Sequence, residues 1–172
     1  MSKTLILYSS RDGQTLKILR HMEPLLQQEC EWLDVKQTKQ LDLDGYSKVL
    51  VGASIRYGNF ESNLIPLLNQ HKEALQHKPN AMFVVCLTAR KPEKASPATN
   101  AYMKKFDRLC QWHPKMKGVF AGALQYSKYN WWQTLIIQLI MKMTGGSTDK
   151  SKDLEFTDWD KVEAFAKEFA SL

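Results

Sequence analysis

Short apolar runs alternate with longer amphipathic segments along the chain. The apolar runs lie at 4–8, 48–53, 81–87 and 118–124, and each is a β-branched and aliphatic stretch of the kind that predicts a strand buried on both faces. A shorter run at 32–35 predicts a strand at the edge of the sheet. The pattern therefore predicts five strands.

Amphipathic segments with apolar positions at helical spacing follow the strands. They predict helices at 14–29, 61–76, 96–112 and 158–171. Individual residues define the bends and ends of these helices. Pro24 predicts a bend, Ser96 and Pro97 are expected to open the third helix, and Thr157 is expected to cap the last one.

Strands and helices alternate without an internal repeat or a long linker. This order predicts right-handed crossovers and a parallel sheet covered by helices on both faces, so residues 1–172 are expected to form one doubly wound α/β domain. Ligands of such folds bind at the carboxyl edge of the sheet. We therefore expect the site in the loops that follow Tyr8, Ala53, Leu87 and Leu124.

The first of these loops is rich in hydroxyl groups and directly precedes a predicted helix. Hydroxyls and backbone N–H groups at a helix N-terminus suit a phosphate dianion, although the same composition also occurs in a turn that only caps a helix. Neither GxxxxGK[ST] nor GxGxxG occurs, which argues against ATP, GTP and classical dinucleotide sites. The loop consists of Ser9, Ser10, Arg11, Asp12, Gly13, Gln14 and Thr15.

The second and third loops offer an aromatic ring and basic groups. In the second loop Tyr57 stands between Arg56 and Gly58, where it either stacks on a flat ring or is an ordinary surface aromatic. The third loop, 88–94, is polar, basic and interrupted by proline. It is placed to hold the edge of a ring or to meet an anionic substrate.

Residues 125–152 interrupt the alternation of strand and helix. Their middle, Trp131–Met143, predicts a helix about 20 Å long, too short for a hydrocarbon core of roughly 30 Å. This helix either packs on the sheet or lies in a membrane interface. Flanking aromatic and basic residues favour the interface: Tyr126, Lys128, Tyr129, Trp131, Trp132, Lys142, Lys150 and Lys152.

Composition and charge narrow the classes of protein. The 172 residues are 44% hydrophobic and 24% charged, which excludes a disordered chain and a polytopic membrane protein. The net charge is +6, and twelve basic against three acidic residues lie at 87–152. This basic stretch favours an anionic partner. Its residues are dispersed over several elements and no nucleic-acid motif occurs, so no nucleic acid is expected as a partner.

The sequence carries no recognisable acid–base or metal motif. The four histidines have no carboxylate or cysteine at catalytic spacing, and neither HExxH nor a nucleophile elbow is present. Cys30, Cys86 and Cys110 are scattered, and no secretory segment begins the sequence, which predicts reduced thiols in a cytosol. We therefore assign no catalytic side chain and expect no metal.

The three loops resemble those of the flavodoxins in the segments SSRDGQT, ASIRYG and LTARK. Together with YSKYNWWQTLIIQLIMKMTGGSTDKSKDLEFTDWD, they are similar to the quinone-dependent protoporphyrinogen IX dehydrogenases over essentially the whole chain. The resemblance implies a flavodoxin-like sheet of five parallel strands in the order 2-1-3-4-5, with residues 125–152 inserted near the last strand. It also implies FMN as cofactor and the oxidation of protoporphyrinogen IX to protoporphyrin IX in haem biosynthesis. The six electrons would leave in three two-electron steps to menaquinone or ubiquinone.

The resemblance also implies roles for individual residues. The first loop, Ser9 to Thr15, would hold the FMN phosphate and ribityl chain. The flavin ring would be bordered by Ala53, Ser54, Ile55, Arg56, Tyr57 and Gly58, and its far edge by Leu87, Thr88, Ala89, Arg90 and Lys91. Candidates for the carboxylates of the substrate are Arg11, Arg56, Arg90 and Lys91.

The insertion is expected to cover the flavin, to supply cations to the propionates and to contact an anionic membrane. Its candidate residues are Tyr126, Lys128, Tyr129, Trp131, Trp132 and Lys142. The expected location is therefore peripheral, on the cytoplasmic side of the bacterial inner membrane. Assembly into a homo-oligomer is left open.

Two other functions fit the same fold. A flavodoxin-type electron carrier would reduce partner proteins without oxidising a porphyrinogen, and an FMN-dependent quinone reductase would use another donor. Carriers of the flavodoxin type are usually acidic, so the basic stretch and the apolar insertion favour the dehydrogenase.

Overall fold

The computed structural model describes residues 2–172 and has a parallel sheet of five strands at its centre. The strands lie in the order β2-β1-β3-β4-β5, which confirms the 2-1-3-4-5 order and the edge position of the short strand. They are β1 (Lys3–Ser9), β2 (Glu29–Asp34), β3 (Tyr46–Ser54), β4 (Asn80–Cys86) and β5 (Met116–Ala121). Because the strand order reverses at β1 and β3, the loops after these two strands meet at the switch point of the sheet.

The apolar runs form strands because both faces of the sheet are covered. Alternate residues of one strand point to opposite faces, so Leu5 and Leu7 pack on one side and Ile6 on the other. The first side is covered by α2 (Leu64–Gln70), α3 (Lys72–Gln76) and α4 (Ala101–Leu109). The second is covered by α1 (Gln14–Met22) and α6 (Trp159–Ser171).

Two predicted helices are shorter than expected. The helix predicted at 14–29 ends at Met22, and a 3₁₀ turn, Glu23–Leu26, follows because Pro24 has no N–H to continue the α-helical pattern. The helix predicted at 61–76 is divided at His71, which leaves helical geometry and accepts a hydrogen bond from the Leu41 amide at 3.1 Å.

Two predicted helix starts are wrong. The third helix does not begin at Ser96 and Pro97, because Asn100 caps the amides of Tyr102 and Met103. Thr157 is not the cap of α6, because its hydroxyl donates to the Ala121 carbonyl at 2.7 Å. The Asp158 carboxylate caps this helix instead, accepting from the Lys161 amide at 3.2 Å.

The strand predicted at 118–124 is also wrong at its end. β5 stops at Ala121, and the next residues form β6 (Ala123–Leu124), which pairs antiparallel with β7 (Leu154–Glu155). This small ladder brings the two ends of the insertion together. Tertiary pairing, which the local pattern does not contain, has therefore divided the run.

The insertion contains the helix that the sequence predicts, with the same ends. α5 (Trp131–Met143) begins with a capping box, in which Asn130 and Gln133 each bond the backbone amide of the other. Only Ile137 and Met141 of this helix are buried. Throughout residues 2–172, the helices are too short or too polar to cross a bilayer.

Candidate functional site

The loops after β1, β3 and β4 line one wall of a single cleft, and α5 lines the other. The empty space in this cleft, including the part open to solvent, is about 880 Å³. The sequence-predicted residues that line it are Ser10, Arg11, Asp12, Gln14, Thr15, Ser54, Ile55, Arg56, Tyr57, Gly58, Leu87, Thr88, Arg90 and Tyr129. The remaining predicted residues do not line this cleft: Ser9, Gly13, Ala53, Ala89, Lys91, Tyr126, Lys128, Trp131, Trp132 and Lys142.

Several lining residues were not anticipated. Ile137, Ile140 and Thr144 form the cleft-facing side of α5 and its end, and their helical spacing was the available signal. Cys86 and Tyr102 also line the cleft, and they are brought there by the fold alone.

The loop after β1 leads directly into the N-terminus of α1. Gly13 adopts a φ of 92°, which glycine tolerates, and its amide donates to the Ser10 hydroxyl at 3.2 Å. α1 then begins without a side-chain cap. The buried Thr15 hydroxyl has no hydrogen-bond partner in the part of the chain that the structure describes. An unpaired buried hydroxyl costs about 1–3 kcal/mol, so the loop fits a phosphate that would supply the missing partner.

The loop after β3 presents Tyr57 on a constrained turn. Arg56 and Asn59 exchange backbone hydrogen bonds of 3.0 Å, and Tyr57 and Gly58 between them have φ of 49° and 78°. Positive φ at both central positions gives the mirror-image turn of tight hairpins. Lys105 of α4 donates to the Gly58 carbonyl at 2.9 Å and to the Asn59 side chain at 3.0 Å, which holds the turn against the protein.

Arg56 is occupied by groups of the protein itself. Its guanidinium donates to the Asp12 carboxylate, and the two side chains are only 12% and 24% exposed. Burial lowers the pKa of Arg56, but hydrogen bonds with Asp12 and Tyr57 outweigh it and raise the pKa above its usual value. Arg56 is therefore always charged, and its charge is neutralised within the site.

Arg90 is likewise committed to an internal contact. Its guanidinium donates to the Leu87 carbonyl at 2.9 Å and to the Thr144 hydroxyl at 2.8 Å. Thr144 follows the last turn of α5, where a cation also complements the helix dipole. Arg11 is the guanidinium of the cleft that stays half-exposed, 3.6 Å from Glu61 at the rim.

Ionisable groups in the cleft are poorly suited to acid–base work. Asp12 is the single carboxylate among the lining residues and is paired with Arg56. Burial raises the pKa of the Tyr102 and Tyr129 phenols, so both stay protonated at neutral pH. Within residues 2–172 no cluster of His, Cys, Asp and Glu is arranged to hold a metal ion.

The outer face of α5 is apolar and exposed. Trp131, Leu135, Leu139 and Met143 recur every fourth residue, and their exposed fractions are 77%, 55%, 60% and 79%. This stripe lies on the side of α5 away from the cleft-facing Ile137. Lys128, which precedes α5 in the insertion, donates to the Asp12 carbonyl at 2.8 Å and so lies beside the loop after β1.

Comparisons with known proteins show the family of the chain. A family model described as a flavodoxin domain matches residues 5–151. The protoporphyrinogen IX dehydrogenase (quinone) of Leishmania major is 45% identical over 174 aligned residues, which cover 99% of this chain and 75% of that protein. The protein of the same name from Escherichia coli strain K12 is 42% identical over 173 aligned residues, which cover 99% of this chain and 96% of its own.

Solved structures agree on the fold. The two-electron reduced flavodoxin of Megasphaera elsdenii is 11% identical, with a TM-score of 0.57 over 98% of this chain and 99% of that one. The flavodoxin of Fusobacterium nucleatum bound to flavin mononucleotide is 11% identical, with a TM-score of 0.50 over 99% of this chain and 96% of that one.

Proposed function

The chain belongs to the flavodoxin-domain family and, within it, to the quinone-dependent protoporphyrinogen IX dehydrogenases, and from this we propose how its cleft works. The protein is an oxidoreductase that binds FMN and oxidises protoporphyrinogen IX with a quinone as acceptor. The observation that carries the site assignment is the Thr15 hydroxyl, which is buried at the start of α1 and has no hydrogen-bond partner among residues 2–172.

The wall of loops would hold the cofactor. The Thr15 hydroxyl and the N-terminus of α1 would bind the phosphate, and the turn that carries Tyr57 would border the flavin ring. Thr88 and the 3₁₀ turn Leu87–Arg90 border the opposite edge. Bound FMN supplies the two-electron redox chemistry, which no side chain of the protein provides.

The wall formed by α5 would exclude water and admit the large reactants. Ile137 and Ile140 present apolar surface to the cleft, so a hydrophobic tetrapyrrole can approach without exposing its ring to solvent. Arg11 at the rim is the preferred partner for a substrate carboxylate, since Arg56 and Arg90 are engaged elsewhere. The Asp12 carboxylate is paired with Arg56, so we assign no side chain of the cleft a role in proton transfer.

The exposed stripe of α5 would rest on an anionic membrane surface. The stripe is exposed and apolar and begins with tryptophan, a residue enriched at membrane–water interfaces. Lys142, Lys150 and Lys152 lie exposed on or after α5, where they would meet lipid phosphates. Menaquinone and ubiquinone dissolve in the bilayer, so this placement would bring the acceptor to the cleft. The proposed location is the cytoplasmic face of the inner membrane.

Anaerobic turnover tests the proposed function. Protein loaded with FMN is mixed with protoporphyrinogen IX and a menaquinone analogue, and the appearance of porphyrin absorbance is recorded. Porphyrin in excess of what the bound flavin can itself oxidise should form only when protein, FMN and quinone are all present. Porphyrin formation at the rate seen without protein would contradict the proposal and would leave a flavodoxin-like carrier.

A further inference from the structure

We propose that Arg56 is a positioning residue that couples the phosphate-binding loop to the insertion, so that cofactor binding and the placement of α5 depend on each other. The inference rests on the proposed function only in that FMN is taken as the ligand of the cleft. It assigns Arg56 no contact with FMN or substrate.

Arg56 is the point where three separate segments meet. Its guanidinium pairs with Asp12 in the loop after β1 and is itself part of the turn after β3. The same guanidinium carbon lies 5.1 Å from the ring centre of Tyr57 and 5.1 Å from that of Tyr129 in the insertion. Contacts of this length are cation–π interactions.

Two further contacts reinforce the same junction. The Trp132 ring of α5 stacks on Tyr57, with ring centres 6.4 Å apart and planes inclined by 28°. The Lys128 ammonium of the insertion donates to the Asp12 carbonyl at 2.8 Å. The insertion therefore holds Asp12 and its surroundings from two directions, once through Arg56 and once directly.

Only an arginine can make all of these contacts at once. A guanidinium is planar, so it can stack on aromatic rings while its edge donates to a carboxylate, whereas a lysine ammonium is a compact point charge. Low exposure of both Arg56 and Asp12 strengthens their attraction by excluding water. Lysine at position 56 would keep the charge and lose the bridge between Tyr57 and Tyr129.

Coupling follows from this geometry. Phosphate binding orders the loop that contains Asp12, which fixes Arg56 and, through the Tyr129 ring, the start of α5. The linkage is reciprocal, so an insertion held in place raises the affinity for FMN by the same factor. The rest of the insertion has little burial of its own to fix it, since its fully buried residues within the described chain are Tyr126, Ile137 and Met141.

Hydrogen–deuterium exchange with and without FMN tests the coupling. FMN should slow amide exchange at 126–144 in the wild-type protein. In Arg56→Lys this protection should disappear, and the Kd for FMN should rise by roughly tenfold, within the usual range of coupling between sites. The matched control is Arg20→Lys, since Arg20 lies 5.2 Å from the Trp32 ring outside the cleft, and it should change neither quantity.

Two variants of Tyr129 separate coupling from a general loss of structure. Tyr129→Leu removes the ring and leaves the Arg56–Asp12 pair intact, and it should also abolish the FMN-dependent protection. Tyr129→Phe keeps the ring and should retain it. Equal protection of wild type, Arg56→Lys and Tyr129→Leu would overturn the coupling while leaving FMN binding established. Failure of the wild-type protein to bind FMN would overturn the proposed function and the coupling with it.

Discussion

The two walls of the cleft are built in different ways. The wall of loops rises from strands whose ends are buried, such as Leu7, Ala53 and Cys86, so its backbone is fixed by the sheet. The wall formed by α5 buries two of its own residues and exposes a stripe of large apolar side chains. The contrast supports the proposal that the wall of loops holds FMN and that the wall formed by α5 meets the substrates and a membrane surface.

The largest effect is an increase in the Kd for FMN, expected on the wall of loops from Thr15→Val. Its hydroxyl has no partner within the described residues, so its loss should leave the free energy of unfolding unchanged or raised. The Kd for FMN should rise more than tenfold, since a buried hydrogen bond to a charged group contributes about 1.5–3 kcal/mol. Titration by quenching of flavin fluorescence measures the Kd.

Thr4→Val is the matched control for this prediction. Thr4 is equally buried in β1 and donates to the Gln28 side chain at 2.8 Å, far from the cleft. Its replacement should lower the free energy of unfolding by about 1 kcal/mol and leave FMN binding unchanged. A Kd for FMN that is the same in Thr15→Val and Thr4→Val would refute the phosphate assignment.

The second largest effect is expected on the wall formed by α5, in the double variant Leu135→Glu and Leu139→Glu. Both side chains are exposed, so the fold should be retained, whereas each would lose an apolar contact with lipid worth at least about 1 kcal/mol. Binding to vesicles with phosphatidylglycerol, measured by cosedimentation, should fall by at least about tenfold. FMN affinity should stay within about twofold, because neither residue lines the cleft.

Leu109→Glu serves as its control. Leu109 is exposed at the end of α4 and should have no effect on vesicle binding. If the double variant bound vesicles as well as wild type and Leu109→Glu, the membrane role of the stripe would be wrong. Binding to neutral vesicles alone would argue against the role of the lysines.

A smaller effect is expected at the Tyr57 turn, from Lys105→Met. Loss of the ammonium frees the Gly58 carbonyl and the Asn59 side chain, so the strained turn is held less firmly. The Kd for FMN should rise by about threefold to fivefold, as expected for a partly exposed hydrogen bond. Lys104→Met, one residue away and exposed, should leave the Kd unchanged.

The smallest effect is a pH dependence of the unfolding free energy at Glu155, in the strand β7 that follows the insertion. Glu155 in β7 accepts from Lys17 of α1, and this hydrogen bond, despite the opposing effect of burial, lowers the pKa of Glu155 below its usual value. A lowered carboxyl pKa contributes stability above the unfolded-state pKa of about 4.5, and that stability is lost as the pH falls through the folded-state value. In Glu155→Gln, the acid-side slope of the unfolding free energy should therefore be shallower. Identical slopes would show that Glu155 contributes no such linkage.

The sequence pattern predicts the sheet and α5 well because these elements depend on their own residues. Continuous apolar runs define β1, β3 and β4, and a local capping box defines the start of α5. The start of α4 is missed because Ser96 and Pro97 suggest an earlier start, whereas the Asn100 side chain caps the helix and its amide bonds the Lys94 carbonyl six residues before it. The break at His71 is missed because its partner, Leu41, is thirty residues away in sequence.

The same limit applies to the site. The sequence predicts which loops line the cleft, since strand ends meet at the switch point. It does not predict that Arg56 pairs with Asp12 or that Arg90 holds Thr144, because those choices depend on how the folded segments approach each other. Two of the basic residues assigned to the substrate from sequence, Arg56 and Arg90, thus bind other parts of the protein.

The most direct test of the account is to observe both half-reactions in one anaerobic sample. Protoporphyrinogen IX is added without quinone to at least three equivalents of FMN-loaded protein, because each flavin accepts two of the six electrons, and the flavin absorbance should bleach as porphyrin forms. Addition of a menaquinone analogue should then restore the oxidised flavin spectrum. Bleaching without recovery would contradict a quinone as the acceptor, and absence of bleaching would contradict protoporphyrinogen IX as the donor to a flavin in this cleft.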